Sequence, residues 1–231
     1  MSSFTNLIEL KINNNTNLTT VNVSNLTKIV STIIVQSNSS LTSMNFTNLS
    51  EVGSSITFNS NSNLTSLSFP LMTAFHDTFE CFVNHNLTSL SLPNLLTVNI
   101  FNYRDNGSTI ISLPLLTTIS NSFDCTGNPN LISISLPALT AITGNFTPSF
   151  NPLLNSISLP VLTSYSGSLF SARNNALPSS QINQLLAKLV AIGVTGTTID
   201  LSGQTPPAPP SGSGITDKDS LISAGNNVQT D

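Results

Sequence analysis

The chain has 231 residues, a net charge of −4 and only 7% charged residues, so it carries no basic footprint for nucleic acid. Ser, Thr and Asn supply 95 of its residues, Trp is absent and Tyr occurs twice, leaving few rings on which bases or sugars would stack. No stretch nears the roughly 20 apolar residues of a membrane span, so no membrane insertion is expected.

The opening segment, MSSFTNLIELKINNN, lacks a basic region followed by an apolar run, so no secretory signal is expected. Sequons such as Asn17-Leu-Thr, Asn63-Leu-Thr and Asn86-Leu-Thr are many, as chance dictates in a chain this rich in Asn, Ser and Thr. Several fall where a buried turn is expected, which a glycan would not tolerate.

From there the chain repeats itself. With the Leu of "NLTSL" as a mark, the marks are Leu18, Leu41, Leu64, Leu87, Leu131 and Leu154, a step of 23 residues. One shorter repeat has its mark at Ser108. Apolar columns follow each mark at +3 (Val21 to Ile157), +5 (Val23 to Leu159), +8 (Leu26 to Leu162) and +11 (Ile29 to Tyr165). A further column at +15 reads Ile33, Ile56, Phe79, Ile100, Phe123, Phe146 and Leu169, with one two-residue deletion allowed before Ile100. The +3/+5 and +15/+17 pairs have the period of two of half-buried strands. Pro70, Pro93, Pro114, Pro137 and Pro160 end the first strand by removing a donor. A unit of this length cannot bury its own apolar side, but stacked units can. The predicted fold is mainly β, a parallel β-solenoid of two sheets over residues 1–175, with a small α/β cap over 176–231. Asn17, Asn63, Asn86 and Asn130, just before the marks, are expected to form an asparagine ladder.

The pattern N-L-x-x-L-x-L-P-x-L-x-x-I resembles leucine-rich-repeat solenoids of the receptor L-domain type and the 23-residue bacterial surface-antigen type, over roughly residues 5 to 175. The resemblance implies binding of proteins or glycans rather than catalysis.

Beyond Asn175 the pattern changes. Ser179 or Ser180 is expected to cap a helix over "QINQLLAKLVAI", with Ile182, Leu185, Leu186, Leu189 and Val190 on one face and Gly193 closing it. "TTIDLSG" reads as a strand. Thr216 to Asp219 reads as the cap of a short helix ending at Gly225, with a final strand after it. The segment from Asp200 to Asp231 looks like the closing segment of repeat proteins encoded by bacteriophages and some environmental bacteria, which implies a virion component in the first case.

Chemistry is sparse. "FHDTFECFVNH" (75–85) holds two His, an Asp, a Glu and a Cys, but no standard metal spacing, and no cofactor is implied. Cys81 and Cys125 share the inward +17 column two coils apart, roughly 9–10 Å by strand spacing, too far for a disulfide, so both are expected to be free and buried. The outward +16 column reads Ile34, Thr57, Glu80, Phe101, Asp124, Thr147 and Phe170. Glu80 and Asp124 there have a separation near that of an inverting glycosidase pair, but without a third carboxylate. The exposed surface expected to bind a partner is Glu80, Phe82, Phe101, Tyr103, Arg104 and Asp124. The other sheet offers a flat row of small hydroxyls, Ser66/Ser68, Ser89/Ser91 and Ser133/Ser135 among them. The functional expectation is a non-enzymatic solenoid on a bacteriophage virion, contacting a protein or cell-surface glycan, other virion proteins or its own copies. The alternative is a bacterial surface or exported adhesin, and a polysaccharide-active enzyme using Glu80 and Asp124 is a third.

Overall fold

The computed structural model describes residues 5–231. The first four residues of the expected 1–175 domain lie outside the described residues. The chain winds as a parallel β-solenoid of about seven coils, and every strand pair is parallel and in sequence order. Side chains 23 residues apart become neighbours: Ser43 pairs with Ser66, Ser66 with Ser89 and Ile33 with Ile56. Short strands of three residues, such as Ser66–Ser68 and Ser133–Ser135, form one face with their middle residue inward. The opposite face is a single long sheet that runs from Leu10–Asn13 to Asn227–Gln229. Two features go beyond the two sheets expected. A small third sheet joins Asn6–Leu7, Lys28–Ile29 and Glu51–Val52, and the first face is split into four strands and three.

The split follows from the shortened repeat. The missing residues are two single deletions, not one double one. Val98 pairs with Phe75, but Ile100 pairs with Thr78, so one residue is lost at this corner. A second is lost between Asn106 and Ser108, since Asn106 still occupies the place of Asn84 while the Ser108 hydroxyl reaches the Leu87 carbonyl. Phe101 therefore pairs with Phe79 and Tyr103 with Cys81. Both rings point inward and are fully buried, which corrects their expected exposure. Sequence alone could not choose, because Ile100 and Phe101 fill an apolar column equally well. Phe170 is corrected likewise. An extra residue at the corner after Tyr165 puts it opposite Phe146, inside the core.

These shifts assemble one continuous spine. Phe79, Phe101, Phe123, Phe146 and Phe170 stack ring on ring with centroids 5.0–5.2 Å apart, close to the strand spacing of about 4.8 Å that sets the step. Tyr103 fills space left where Ser108 replaces the Leu of the mark, and its hydroxyl lies 2.6 Å from the Ser108 hydroxyl. Tyr103 also stands between the two cysteines in its column. Both thiols are free and buried, as expected.

The asparagine ladder exists, but two residues earlier than expected. Asn17, Asn63, Asn86 and Asn130 are exposed. The buried ladder is Asn38, Asn61, Asn84, Asn106, Asn128, Asn151 and Asn175. Each Oδ1 accepts the backbone N–H of the ladder residue one coil back, from Asn38 to Asn61 at 3.1 Å through Asn151 to Asn175 at 2.8 Å. In most coils Nδ2 also donates back, as Asn61 does to the Val35 carbonyl at 2.9 Å. The turn requires a left-handed residue just before each amide, and these are Ser37, Ser60, Val83, Asp105, Gly127, Phe150 and Asn174. A position before the mark faces solvent because the strand-to-strand corner has already turned outward there.

The C-terminal segment closes the stack. Helix α1 (Ser179–Ile192) buries Ile182, Leu185, Leu186 and Leu189, and Gly193 ends it in the left-handed conformation. Pro178, rather than Ser179 or Ser180, occupies the cap position, with no side-chain cap bond. Gln181 Oε1 accepts the Ile157 N–H, and so stands in for the next strand along the edge of the first face. Helix α2 (Ser213–Ser223) starts before Thr216, whose hydroxyl instead bonds back to the Ser213 carbonyl. Thr198–Asp200 and Asn227–Gln229 extend the long sheet, as the two expected strands. Gln204 ends the amide ladder, accepting the Leu177 N–H and donating to the Ala172 and Leu201 carbonyls.

Asn61→Ala strands the buried Asn38 N–H and removes the amide's bonds to the Val35 and Asn59 carbonyls, so urea denaturation should show a loss of about 2 kcal/mol. Asn63→Ala, two residues on and exposed, should stay within about 0.5 kcal/mol of the parent. Burial pushes the Cys81 and Cys125 thiols and the Tyr103 phenol up from their ordinary values of 9.0 and 10.0. Above these values the unfolded chain releases protons that the folded chain keeps. Stability should therefore be level to about pH 8 and fall above about pH 9, and fall less steeply in a Cys81→Ala/Cys125→Ala variant, as read by melting midpoints across pH.

Candidate functional site

Glu80, Arg104, Asp124 and Arg173 lie on the outer face of the long sheet, towards its C-terminal half, while Glu9, Lys11, Lys28 and Glu51 pair with one another in the first coils. In-register pairing places Glu80, Asn102, Asp124 and Thr147 in one outward column. Ser171 and Asp200 continue it. Of the six residues expected to bind a partner, Glu80, Phe82, Arg104 and Asp124 lie on this face, whereas Phe101 and Tyr103 lie in the core beneath it. Glu80 is separated from Asp124 by Asn102, not by an exposed Phe101.

Three of the four form a small stack. The Arg104 guanidinium lies over the Phe82 ring, 5.5 Å from its centroid, and Nη1 is 3.8 Å from Asp124 Oδ2. Further along the sheet the same arrangement recurs with residues that sequence reasoning missed. Arg173 covers the Phe150 ring at 4.8 Å, and its Nη1 is 3.7 Å from Asp200 Oδ2. A signal for this was present. Arg104-Asp105-Asn106 and Arg173-Asn174-Asn175 both place an Arg two residues before a ladder Asn, so the register of the amides locates both cations.

The two carboxylates are held alike. Asp124 Oδ1 accepts the Thr126 N–H at 2.9 Å, and Asp200 Oδ1 accepts the Ser202 N–H at 3.2 Å and the Ser202 hydroxyl at 2.6 Å. Each is a side-chain turn that fixes the carboxyl while directing Oδ2 away from the local backbone. Between them lies a cavity of about 470 Å³, lined among others by Asp124, Thr147, Ser171, Arg173, Thr198 and Asp200. The Asp200 side chain is only 10% exposed. Three strand spacings separate the Cα atoms of Asp124 and Asp200, roughly 14 Å. Glu80 and Asp124, the pair the sequence puts forward for catalysis, stand two strand spacings apart in the same outward column, roughly 10 Å between Cα atoms. Among the described residues no three His, Cys, Asp or Glu side chains converge to hold a metal ion, and no helix is long and apolar enough to cross a membrane.

Other surfaces are structural. A second cavity, of about 260 Å³, is the seam between Ser156–Ser158 and α1, where the Lys188 ammonium binds the Pro160 carbonyl. Threonines line two corners, but their hydroxyls are spent on the previous coil's carbonyls, as Thr65 on Thr42 and Thr140 on Thr117. The serine row of the first face carries no charge. Comparison with protein-family models, curated proteins and solved structures finds no match to this chain.

Long ion pairs between partly exposed groups contribute little to folding. Arg104→Ala and Arg173→Ala should each lower the unfolding free energy by about 1 kcal/mol or less, measured by chemical denaturation, which would leave both cations free for another role.

Proposed function

We propose that the protein is a non-enzymatic recognition solenoid of the leucine-rich-repeat type, displayed on a bacteriophage virion as part of a tail, baseplate or capsid appendage. The observation that carries the recognition role is the cavity between Asp124 and Asp200. The two arginines beside its carboxylates are held only by long ion pairs and ring contacts, and its polar groups are pre-positioned by rigid strands. A site placed on a sheet loses little freedom on binding. The assignment to a virion rests on the closing segment from Asp200 to Asp231, which resembles that of phage-encoded repeat proteins. In this fold that segment does mechanical work. It supplies the last strand, Asn227–Gln229, ends the amide ladder and anchors the chain end through Asp231, whose carboxylate accepts the Gln204 and Ala208 N–H groups.

The second reading, a bacterial surface or exported adhesin, uses the same site and differs only in location. Mass spectrometry of purified virus particles from the source separates the two. The chain should appear at stoichiometric levels in particles. Its presence in the bacterial envelope fraction and absence from every particle would favour the adhesin.

A further inference from the structure

We infer that the first coil is the docking surface for a second copy of this chain, which meets it end to end in a two-fold, antiparallel contact of Leu10–Asn13. The two ends of the solenoid differ. At the C-terminal end α1 buries four apolar side chains over the last coil, and Gln204 ends the amide ladder. At the other end Leu7, Leu10, Ile12, Leu18 and Val21 are only half-buried. Their counterparts one coil on, Ile29, Ile33, Val35, Leu41 and Met44, are buried. The ladder is open there too. The Asn15 N–H and Nδ2 donate to Asn38 Oδ1, but among the described residues no N–H reaches the Oδ1 of Asn15 itself. This end therefore presents apolar side chains together with a strand edge, and a repeat stack needs such an end covered.

Charge points to a second copy as the occupant. The Leu10 and Asn14 N–H groups are bonded to the Thr32 and Gln36 carbonyls of the next coil. The alternation of a strand therefore turns the Lys11 N–H and the Glu9 and Lys11 carbonyls to the open edge. Beside that edge Lys11 Nζ and Glu9 Oε1 form an ion pair of 2.8 Å. A two-fold axis through Leu10 sets Glu9 of each copy opposite Lys11 of the other. Each Lys11 N–H then meets a Glu9 carbonyl, and four side-chain charges alternate in sign around the axis. An axis through Lys11 would set cation against cation, and one through Ile12 would set Lys11 against Asn13. A lone Lys discourages pairing at an edge strand, whereas Glu9 two residues before it makes the same Lys select one register. The contact lays the half-buried apolar ends of the two first coils against each other and removes them from water. Asp124 lies five strand spacings from Leu10–Asn13 along the long sheet, roughly 24 Å. The joint thus leaves both candidate sites open, and the pair is bivalent.

The test is the mass of the full chain in solution, read by sedimentation at concentrations up to about 100 μM. The chain should sediment at twice its 24.4 kDa. Glu9→Lys and Lys11→Glu each place like charges across the axis, and each should weaken the dimer about tenfold or more. Both side chains are exposed, so the circular dichroism and melting midpoint of each diluted variant should match those of the diluted parent. Mixed in equal amounts, the two variants should pair with each other, because one brings two cations to the joint and the other two carboxylates. The double variant Glu9→Lys/Lys11→Glu should regain the affinity of the parent. A chain that stays monomeric at every concentration overturns the inference, as do species larger than a dimer. Single variants that dimerise as tightly as the parent overturn it too, and so does a mixture of the two that remains monomeric.

Discussion

The buried carboxamide at the end of each coil is the constraint on which the rest depends. A parallel solenoid stacks its strands with slanted backbone hydrogen bonds, but each corner leaves backbone groups that no strand can satisfy. An Asn side chain resolves this because it accepts and donates at once. Asn84 shows the arrangement: its Oδ1 takes the Asn61 N–H, and its Nδ2 reaches the Phe58 carbonyl one coil back. Ser would supply a shorter reach and Asp no donor. The amides also accommodate irregular coils. Where a residue is deleted, Asn106 and Asn128 still occupy the ladder, so the defect is confined to the corners and to the break in the first face.

Given that ladder, the remaining features follow as geometry. Coils in register bring Phe79, Phe101, Phe123, Phe146 and Phe170 into one stack, and the strand spacing makes it a favourable offset one. The same register lines up Asp124, Thr147, Ser171 and Asp200 on the outside. Each coil contacts only its neighbours, so stability is a sum of local interfaces and the outer columns are free to vary without unfolding the stack. Function, in such a molecule, is written on outward positions of rigid strands, where a few polar groups stand at fixed intervals.

Much of this was legible in the residues. The step of 23, the alternation at +3 and +5 and the row of prolines lead directly to a parallel solenoid, and the +17 column leads to two buried thiols. The misassigned faces share one cause: insertions and deletions of a single residue reverse which side of a strand faces out. Ile100 and Phe101 are both apolar, so the pattern could not tell which belonged inside, and with Phe101 went Tyr103. The asparagine ladder was anticipated in kind but misplaced, because the chain is so rich in Asn that several columns look alike. Asp200 was missed because the repeat was read as ending near Asn175, whereas the long sheet runs on to Gln229, and Phe150 and Arg173 because they sit just before ladder residues Asn151 and Asn175, at turn positions that the misplaced ladder did not mark.

Backbone amide exchange, followed residue by residue in the intact chain, tests the ladder most directly. If each carboxamide bridges two coils, the N–H groups of Asn38, Asn61, Asn84, Asn106, Asn128 and Asn151 will be among the slowest to exchange, opening only with the global unfolding of the stack. Exchange at these six positions as fast as at the exposed Asn63 and Asn86 would mean that the amides do not join the coils, and the register built on them would not stand.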